Sequence, residues 1–271
     1  MDAKPSTLPA PKRQLLDPSN STVLCFGDSL TAGYAKGGNE FHPYATSLQT
    51  KLSDLGVRCT CIANGGNGAR VADFVSPNHL DNPTNVDVCG REYAGLRHSL
   101  MTHRPRLVII MAGTNDLAME IESPDVLADS ILRSLAALHQ MCHDAGASTI
   151  ACSVPPNAAL TTKSEASVKS SSLEVYVKTW KALNNKIRSF CAEKKEEKEF
   201  LLSASLRYFD VSEHVPYFPG SAYWGWDGLH MSANGYDRFG EMIAPTVANL
   251  LVGEGHKEMV KEGGITVKNE S

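Results

Sequence analysis

The sequence lacks the long apolar runs and the charge bias that mark membrane-spanning and nucleic-acid-binding proteins. No segment reaches the roughly eighteen consecutive apolar residues that a spanning helix needs, so we expect no stable insertion into a membrane. The net charge is −4 and the pI is about 6.1, so no basic field is available to hold a phosphate backbone. Nucleic acid is therefore not an expected partner.

The cysteines follow no disulfide pattern. The chain has 7 cysteines at irregular spacing, and an odd number without a framework indicates free thiols in a reducing compartment. The proline-rich start, residues 1–20, has no apolar core of a signal peptide. Both features predict a cytoplasmic protein. Cys59 and Cys61 share one face of an extended segment, but their spacing is not that of a zinc pair, and we expect no metal and no cofactor.

Several familiar catalytic motifs are also absent. No Gly-x-Ser-x-Gly occurs, which excludes the nucleophile elbow of the α/β-hydrolases. The glycines at 65, 66 and 68 are not followed by the Lys-Ser/Thr of a phosphate-binding loop, and they do not match the dinucleotide fingerprint. His139 and His143 have the spacing of a zinc-protease helix without its glutamate. That pattern predicts two histidines on a helix surface.

Apolar segments alternate with helical patterns in a chain of ordinary globular composition, with 271 residues of which 42% are hydrophobic. The predicted strands are 22–26, 57–63, 107–112, 148–153 and 207–211. The predicted helices are 41–55, 91–103, 124–145, 173–197 and 233–251. Such alternation predicts an α/β fold with a parallel sheet between helices.

The composition also divides the chain into a domain and two tails. We expect a single domain over residues 21–252, since residues 1–20 and the charged residues 253–271 lack apolar periodicity and read as disordered. Within the domain, the polar segments 76–97 and 155–172 are predicted to be surface loops, the first of them over the functional site. The sequence carries no signal for an oligomeric state.

Polar residues that suit nucleophilic catalysis follow the predicted strands. Ser29 follows the first strand and can act as a nucleophile once a base accepts its proton. His230 is the candidate base, and Asp227, three residues earlier, can orient its imidazole. Because ligands bind at the carboxyl ends of parallel strands, these groups are expected to meet at one edge of the sheet. Alone, an Asp-x-x-His pair is more often a capping carboxylate beside a surface histidine.

Two further patches provide candidate donors for an oxyanion. Gly68, in the glycine-rich stretch after the second strand, can offer a backbone amide, and Gly66 is the alternative. Asn115, in Gly-Thr-Asn-Asp after the third strand, can offer a side-chain amide. Turn formation is the competing explanation for both patches.

Four blocks of the chain resemble the SGNH hydrolases, also called GDSL esterases/lipases. The blocks are Gly-Asp-Ser-Leu at 27–30, the glycine patch ending at Gly68, Gly-Thr-Asn-Asp at 113–116 and Asp-Gly-Leu-His at 227–230. The resemblance spans roughly residues 22–250 and implies a flavodoxin-like three-layer sandwich with a five-stranded parallel sheet. One position departs from the family, because Asn67 stands where its second block usually has serine.

The resemblance also implies roles for individual residues. Ser29 is the expected nucleophile, with His230 and Asp227 completing a catalytic triad. The oxyanion hole is expected from the amides of Ser29 and Gly68 and the side chain of Asn115. Apart from the resemblance, substrate contacts are also expected from residues beside these blocks: Asp28, and Trp224 and Trp226 as large apolar walls on the acyl or leaving-group side. For the tryptophans, anchoring of a loop on the core is an equally good interpretation.

Together these observations predict a serine esterase that hydrolyses carboxylic esters, with a small-molecule substrate and short acyl chains. An acyltransferase, a lysophospholipase or a thioesterase of the same architecture is an alternative, because the family does not fix the substrate. A catalytically inactive ligand-binding domain is the alternative from another class. It is disfavoured because every reacting position is filled.

Overall fold

Five parallel strands form the central sheet of the protein. The computed structural model describes residues 21–119, 123–161, 171–196 and 204–262. In chain order the strands of the sheet are β1 (Ser21–Gly27), β4 (Cys59–Gly65), β7 (Leu107–Met111), β8 (Ser148–Cys152) and β9 (Leu206–Phe209). Their spatial order is β4-β1-β7-β8-β9, and all neighbours are parallel. The predicted parallel sheet is therefore confirmed, with every strand within two residues of its expected bounds.

The central strands are buried on both faces, which explains their unbroken apolar sequences. Every residue of β7 and β8 is buried. Strand β4 lies at an edge of the sheet and is only partly covered. Such near-continuous apolar runs are typical of parallel strands between two helical layers.

Helices cover both faces of this sheet. One layer pairs α2 (Ala45–Asp54) with α9 (Ala233–Glu262), and the other pairs α6 (Pro124–Asp144) with α7 (Ser171–Glu196). The remaining helices are α1 (Ser29–Ala32), α3 (Val71–Phe74), α4 (Pro77–Leu80), α5 (Leu96–His103) and α8 (Val211–His214). Separate apolar cores fill the two interfaces between helices and sheet. This is the three-layer α/β domain that the sequence predicts.

The last helix is longer than its apolar pattern indicates. It was expected to end at residue 251, but α9 continues to Glu262, so the expected domain boundary at 252 falls inside it. Glu, Lys and Met are good helix formers, and extending an existing helix costs far less than nucleating one. Residues 263–271 and the N-terminal residues 1–20 lie outside the described part. No helix in the described ranges is both long and apolar enough to cross a membrane.

The segment 76–97 is more ordered than the predicted surface loop. It contains α4 and a small antiparallel hairpin of β5 (Asn85–Val86) and β6 (Glu92–Tyr93), and α5 begins within it. A second short hairpin, β2 (Tyr34–Ala35) with β3 (Glu40–Phe41), follows α1. Two-residue strands carry too little periodicity to be predicted. Of the other predicted loop, residues 162–170 lie outside the described ranges.

The two histidines of α6 are buried, so their prediction as surface residues was wrong. His139 Nδ1 and His143 Nε2 lie 2.9 and 2.8 Å from the hydroxyl oxygen of Thr149 on β8. Burial lowers the pKa of His139 to about 3 and that of His143 to about 4, so both are neutral at pH 7. These residues face the sheet because they continue the apolar stripe of α6 at helical spacing.

Candidate active site

Strand register brings the predicted site residues to one edge of the sheet. Gly27, the last residue of β1, is in register with Gly65 at the end of β4 and with Met111 at the end of β7. The three strands therefore end at the same level. The segments that leave them carry Ser29, Gly68 and Asn115, which is the convergence that the sequence order predicts.

Ser29 begins a one-turn helix at the end of β1. Its hydroxyl oxygen lies 2.9 Å from His230 Nε2, although the two residues are 201 positions apart in the chain. The helix ends at once because Gly33 adopts a left-handed conformation with φ 79°. Ser29 is only 5% exposed. Its burial in this tight turn leaves the side chain little freedom.

His230 is held by a carboxylate on its own turn. Its Nδ1 lies 2.8 Å from Asp227 Oδ2, while Asp227 Oδ1 accepts hydrogen bonds from the amides of Leu229 at 3.0 Å and His230 at 2.9 Å. Partial burial acts to raise the pKa of Asp227, but the hydrogen bonds from His230 and Leu229 outweigh it and hold the pKa below its ordinary value. An ionised Asp227 fixes both the orientation of the imidazole and its proton on Nδ1.

Tyr34 also contacts the imidazole, a contact that sequence reasoning missed. The centroids of the Tyr34 and His230 rings are 4.3 Å apart, with the planes tilted by 36°. The backbone of Tyr34 is fixed from α9, because the Tyr236 hydroxyl donates to its carbonyl oxygen at 2.8 Å. Tyr34 directly follows the Ser29 helix, but no local pattern links it to a histidine near the other end of the chain.

The two candidate glycines of the patch after β4 differ in what their backbone amides bind. The Gly66 amide donates to Gly27 O at 3.0 Å, so it is already used in holding the two strand ends together. The Gly68 amide has no hydrogen-bond partner among the residues the structure describes. Gly68 has φ +74°, a conformation that favours glycine. Of the two glycines considered, Gly68 therefore has the amide that is open to a ligand.

Asn115 is hydrogen-bonded to this patch through its side-chain NH2 group. Its Nδ2 donates to Ala69 O at 2.8 Å. A primary amide carries two hydrogens on nitrogen, so a second donor remains. The half-buried Asn115 therefore joins the end of β7 to the glycine patch and keeps a donor beside it.

Asp28, for which substrate contact remains a prediction, is buried and caps α1. It is fully buried, and its Oδ1 accepts from the Leu30 amide at 3.0 Å as the cap of α1. Burial raises its pKa to about 7, with a contribution from the nearby carboxyl of Asp116. Asp116 is also buried, and its two oxygens accept from the Val71 amide at 3.2 and 3.1 Å.

The two tryptophans before Asp227 have different surroundings. Trp224 is 7% exposed, packs against the Tyr217 ring and donates its indole N–H to Pro216 O at 3.1 Å. It therefore anchors its loop on the core, which was one of the two interpretations. Trp226 is 85% exposed and stands at the surface beside Asp227.

The three-layer α/β fold and the four sequence blocks are those of the SGNH hydrolases, a class distinct from the α/β-hydrolases. The model of the GDSL-like lipase/acylhydrolase family matches residues 23–243, and the chain belongs to that family. Family membership supports hydrolysis of ester bonds in small molecules as its general activity. No curated protein sequence matches the chain.

Solved structures with the same fold include several esterases. One is a carbohydrate acetylesterase family member from Sinorhizobium meliloti, with 23% identity, a TM-score of 0.57 and coverage of 86% of this chain and 99% of that one. Another is a putative arylesterase from Agrobacterium tumefaciens, with 22% identity, a TM-score of 0.56 and coverage of 85% and 99%. The inhibitor-bound aryl esterase of M. smegmatis has 19% identity, a TM-score of 0.55 and coverage of 85% and 99%. At these identities the likeness establishes the fold.

The buried Asp28 makes a testable contribution to the pH dependence of stability. Its pKa is raised in the folded protein, so its contribution to stability is present at acidic pH and is lost as pH rises through about 7. From pH 5 to pH 8 this loss amounts to about 2–3 kcal/mol in the free energy of unfolding. Asp28→Asn cannot ionise, so its stability relative to wild type should improve over that range.

Chemical denaturation at pH 5 and pH 8 measures this difference. Asp54→Asn, at an exposed position near the end of α2, controls for the loss of one carboxylate. An Asp28→Asn difference that is equal at the two pH values would mean that Asp28 is ionised in the folded protein at both.

Proposed function

We propose that the protein is a serine esterase in which Ser29 is the nucleophile. The observation that carries the proposal is the hydrogen-bonded chain from Ser29 Oγ to His230 Nε2 at 2.9 Å and from His230 Nδ1 to Asp227 at 2.8 Å. A serine hydroxyl attacks an ester carbonyl only when a base accepts its proton. His230 is placed to accept it, and the ionised Asp227 stabilises the imidazolium that forms.

The negative charge that develops on the carbonyl oxygen needs preset donors. Three groups are proposed for this role: the amides of Ser29 and Gly68 and the side chain of Asn115. The available N–H groups support this role. Neither the Ser29 amide nor the Gly68 amide has a hydrogen-bond partner in the described ranges. Asn115 uses one of its two side-chain amide hydrogens in the bond to Ala69 O and keeps the other. Fixed donors cost little reorganisation during the reaction, which is why they lower the barrier.

Collapse of the tetrahedral intermediate expels the alcohol, and His230 returns its proton to that leaving group. Water, activated by the same imidazole, then hydrolyses the acyl enzyme and frees Ser29. Apart from the ester and water, these steps use side chains and backbone amides of this chain. The Tyr34 ring lies against the imidazole, where an aromatic face stabilises a cation by about 0.5–1 kcal/mol or more.

Removal of Ser29 or His230 tests the proposed unit. Ser29→Ala and His230→Ala should each lower kcat for p-nitrophenyl acetate by roughly 10⁴–10⁶, and the double variant should be scarcely slower than either. The reason is that a nucleophile without its base, or a base without its nucleophile, supplies little catalysis. Turnover of purified variants and labelling by a fluorophosphonate probe are the measurements.

Two exposed residues provide matched controls for these variants. Ser53→Ala and His103→Ala remove the same side-chain types at the surface and should leave kcat unchanged. Losses that add in log rate in the double variant would show that His230 is not the base for Ser29. Labelling of Ser29→Ala by the probe would place the nucleophile elsewhere.

We propose that the enzyme prefers short acyl chains. Val88, on the β5–β6 hairpin, packs close to Gly68: a methyl group built on Gly68 would meet Val88 Cγ2 at 2.9 Å. The segment 216–226 is aromatic but compact, since Trp224 packs at 5.4 Å from the Tyr217 ring. Both features favour a small space around Ser29 over a long apolar tunnel.

Acyl length is measured directly with p-nitrophenyl esters from two to twelve carbons, below their micelle thresholds. We expect kcat/KM to be greatest at two to four carbons and to fall with longer chains. In a matching tunnel each buried methylene would instead add about 0.8 kcal/mol, so kcat/KM would climb severalfold with every two carbons. A maximum at eight carbons or beyond contradicts the short-chain proposal and favours a lipase or lysophospholipase.

We also propose that Trp226 contacts the leaving group, on the side of the site opposite the acyl chain. It directly precedes Asp227, which places it on the His230 side, where the leaving alcohol receives its proton. Its ring also approaches the β2–β3 hairpin, with Cζ2 3.9 Å from where a Gly37 side chain would begin. An indole ring with 85% exposure offers a flat apolar face on which a ring-shaped alcohol can stack.

A pair of acetate esters with equal carbon number tests this contact. Trp226→Ala should lower kcat/KM for cyclohexyl acetate about 2- to 10-fold, as expected for the loss of one stacking contact, and leave 2-hexyl acetate unchanged. Phe218→Ala is the control, because Phe218 is another exposed aromatic residue of the same loop. Equal losses for the two esters would argue that Trp226 supports the loop without reading the leaving group.

A further inference from the structure

One carboxylate joins the hairpin of residues 85–93 to the glycine patch. Asp87 Oδ2 accepts hydrogen bonds from the Asn67 side-chain amide and from the Asn67 backbone amide, the latter at 3.0 Å. Asp87 Oδ1 accepts from the amides of Cys89 at 2.8 Å and Arg91 at 2.9 Å. Four donors from two separate segments therefore converge on a single side chain.

These hydrogen bonds keep the Asp87 carboxylate charged. Partial burial acts to raise its pKa, but the bonds from the Arg91, Asn67 and Cys89 amides and from the Asn67 side chain outweigh it, and the pKa lies below its ordinary value. Bonds to an ionised acceptor are about twice as strong as those between neutral groups. The connection is therefore present throughout the pH range in which a histidine base works.

The connection controls the orientation of one peptide group. The Gly68 N–H belongs to the peptide between Asn67 and Gly68, and the carbonyl oxygen of that peptide accepts from the Val88 amide at 3.4 Å. Asn67 itself is almost fully buried and is held at its backbone and side chain by Asp87. Because a peptide group is planar, fixing Asn67 and its carbonyl oxygen also fixes the direction of the Gly68 N–H.

We propose that Asp87 is a positioning residue, which acts through Asn67 to aim the Gly68 amide at the oxyanion. This inference rests on the proposed esterase function. It gives a physical reason for Asn67 at a position where the family usually has serine. An asparagine amide reaches the Asp87 carboxylate as a donor, so the hairpin and the glycine patch become one rigid unit beside Ser29.

The test compares Asp87→Asn with a matched change on the same segment. Asp87→Asn keeps the size of the side chain but places an amide against donors, so the Gly68 peptide loses its support. Asp81→Asn is the control, because Asp81 pairs with Arg97 at 2.7 Å on the protein surface, with 58% of its side chain exposed. For p-nitrophenyl acetate we expect kcat to fall about 10- to 100-fold in Asp87→Asn with KM nearly unchanged, and no change in Asp81→Asn.

A trifluoromethyl ketone reports on the oxyanion directly, since its adduct with Ser29 carries an oxyanion. Its inhibition constant should rise by about the same factor as kcat falls. Hydrogen exchange of the peptide spanning residues 66–69 should accelerate in Asp87→Asn at an unchanged melting temperature, and this readout does not depend on activity. If the variant is unstable, Asn67→Ala provides the second route, and the two substitutions should be non-additive in log kcat.

The outcomes separate this inference from the proposed function. An inactive wild type that the fluorophosphonate probe does not label would refute the esterase. An active wild type with normal kcat and ketone affinity in Asp87→Asn would refute the positioning role alone. An effect on KM only would also refute it, because aiming an oxyanion donor acts on the transition state.

Discussion

The site depends on the close approach of backbone segments at the carboxyl ends of β1 and β4. A side chain at Gly27 would lie 1.9 Å from Met111 O, and one at Gly65 would lie 2.3 Å from the Ala32 amide nitrogen. Only glycine leaves room for the Ser29 helix to turn back over the sheet at this point. The Gly66–Gly27 hydrogen bond then closes the junction. Without this approach, Ser29 would not stand level with the glycine patch and Asn115.

Carboxyl groups near this junction serve different purposes because their surroundings differ. Asp28 is fully buried, and this burial raises its pKa to about 7. Asp227 and Asp87 each accept several backbone amides, which keeps their pKa values low. Hydrogen bonding thus keeps Asp227 and Asp87 ionised, whereas burial opposes the ionisation of Asp28, which caps α1.

The segments around the sheet edge contact His230 and the glycine patch. The β2–β3 hairpin brings Tyr34 against His230, while the β5–β6 hairpin brings Asp87 to Asn67 and Val88 to Gly68. Arg91 links the two hairpins, since its guanidinium lies 3.5 Å above the Phe41 ring. Rigid packing of such loops matters because small displacements of catalytic groups are costly in rate.

The sequence alone determined the alternation of strands and helices, and hence the sheet edge at which Ser29, Gly68, Asn115 and His230 meet. Periodicity and strand-end position are local properties, and parallel strands bring their carboxyl ends together whatever the details of packing. Tertiary structure decided the rest: the burial of Asp28 and His139, the contrast between Trp224 and Trp226, and the contacts of Tyr34 and Asp87. Burial and hydrogen-bond partners depend on residues distant in the chain, so no local pattern contains them.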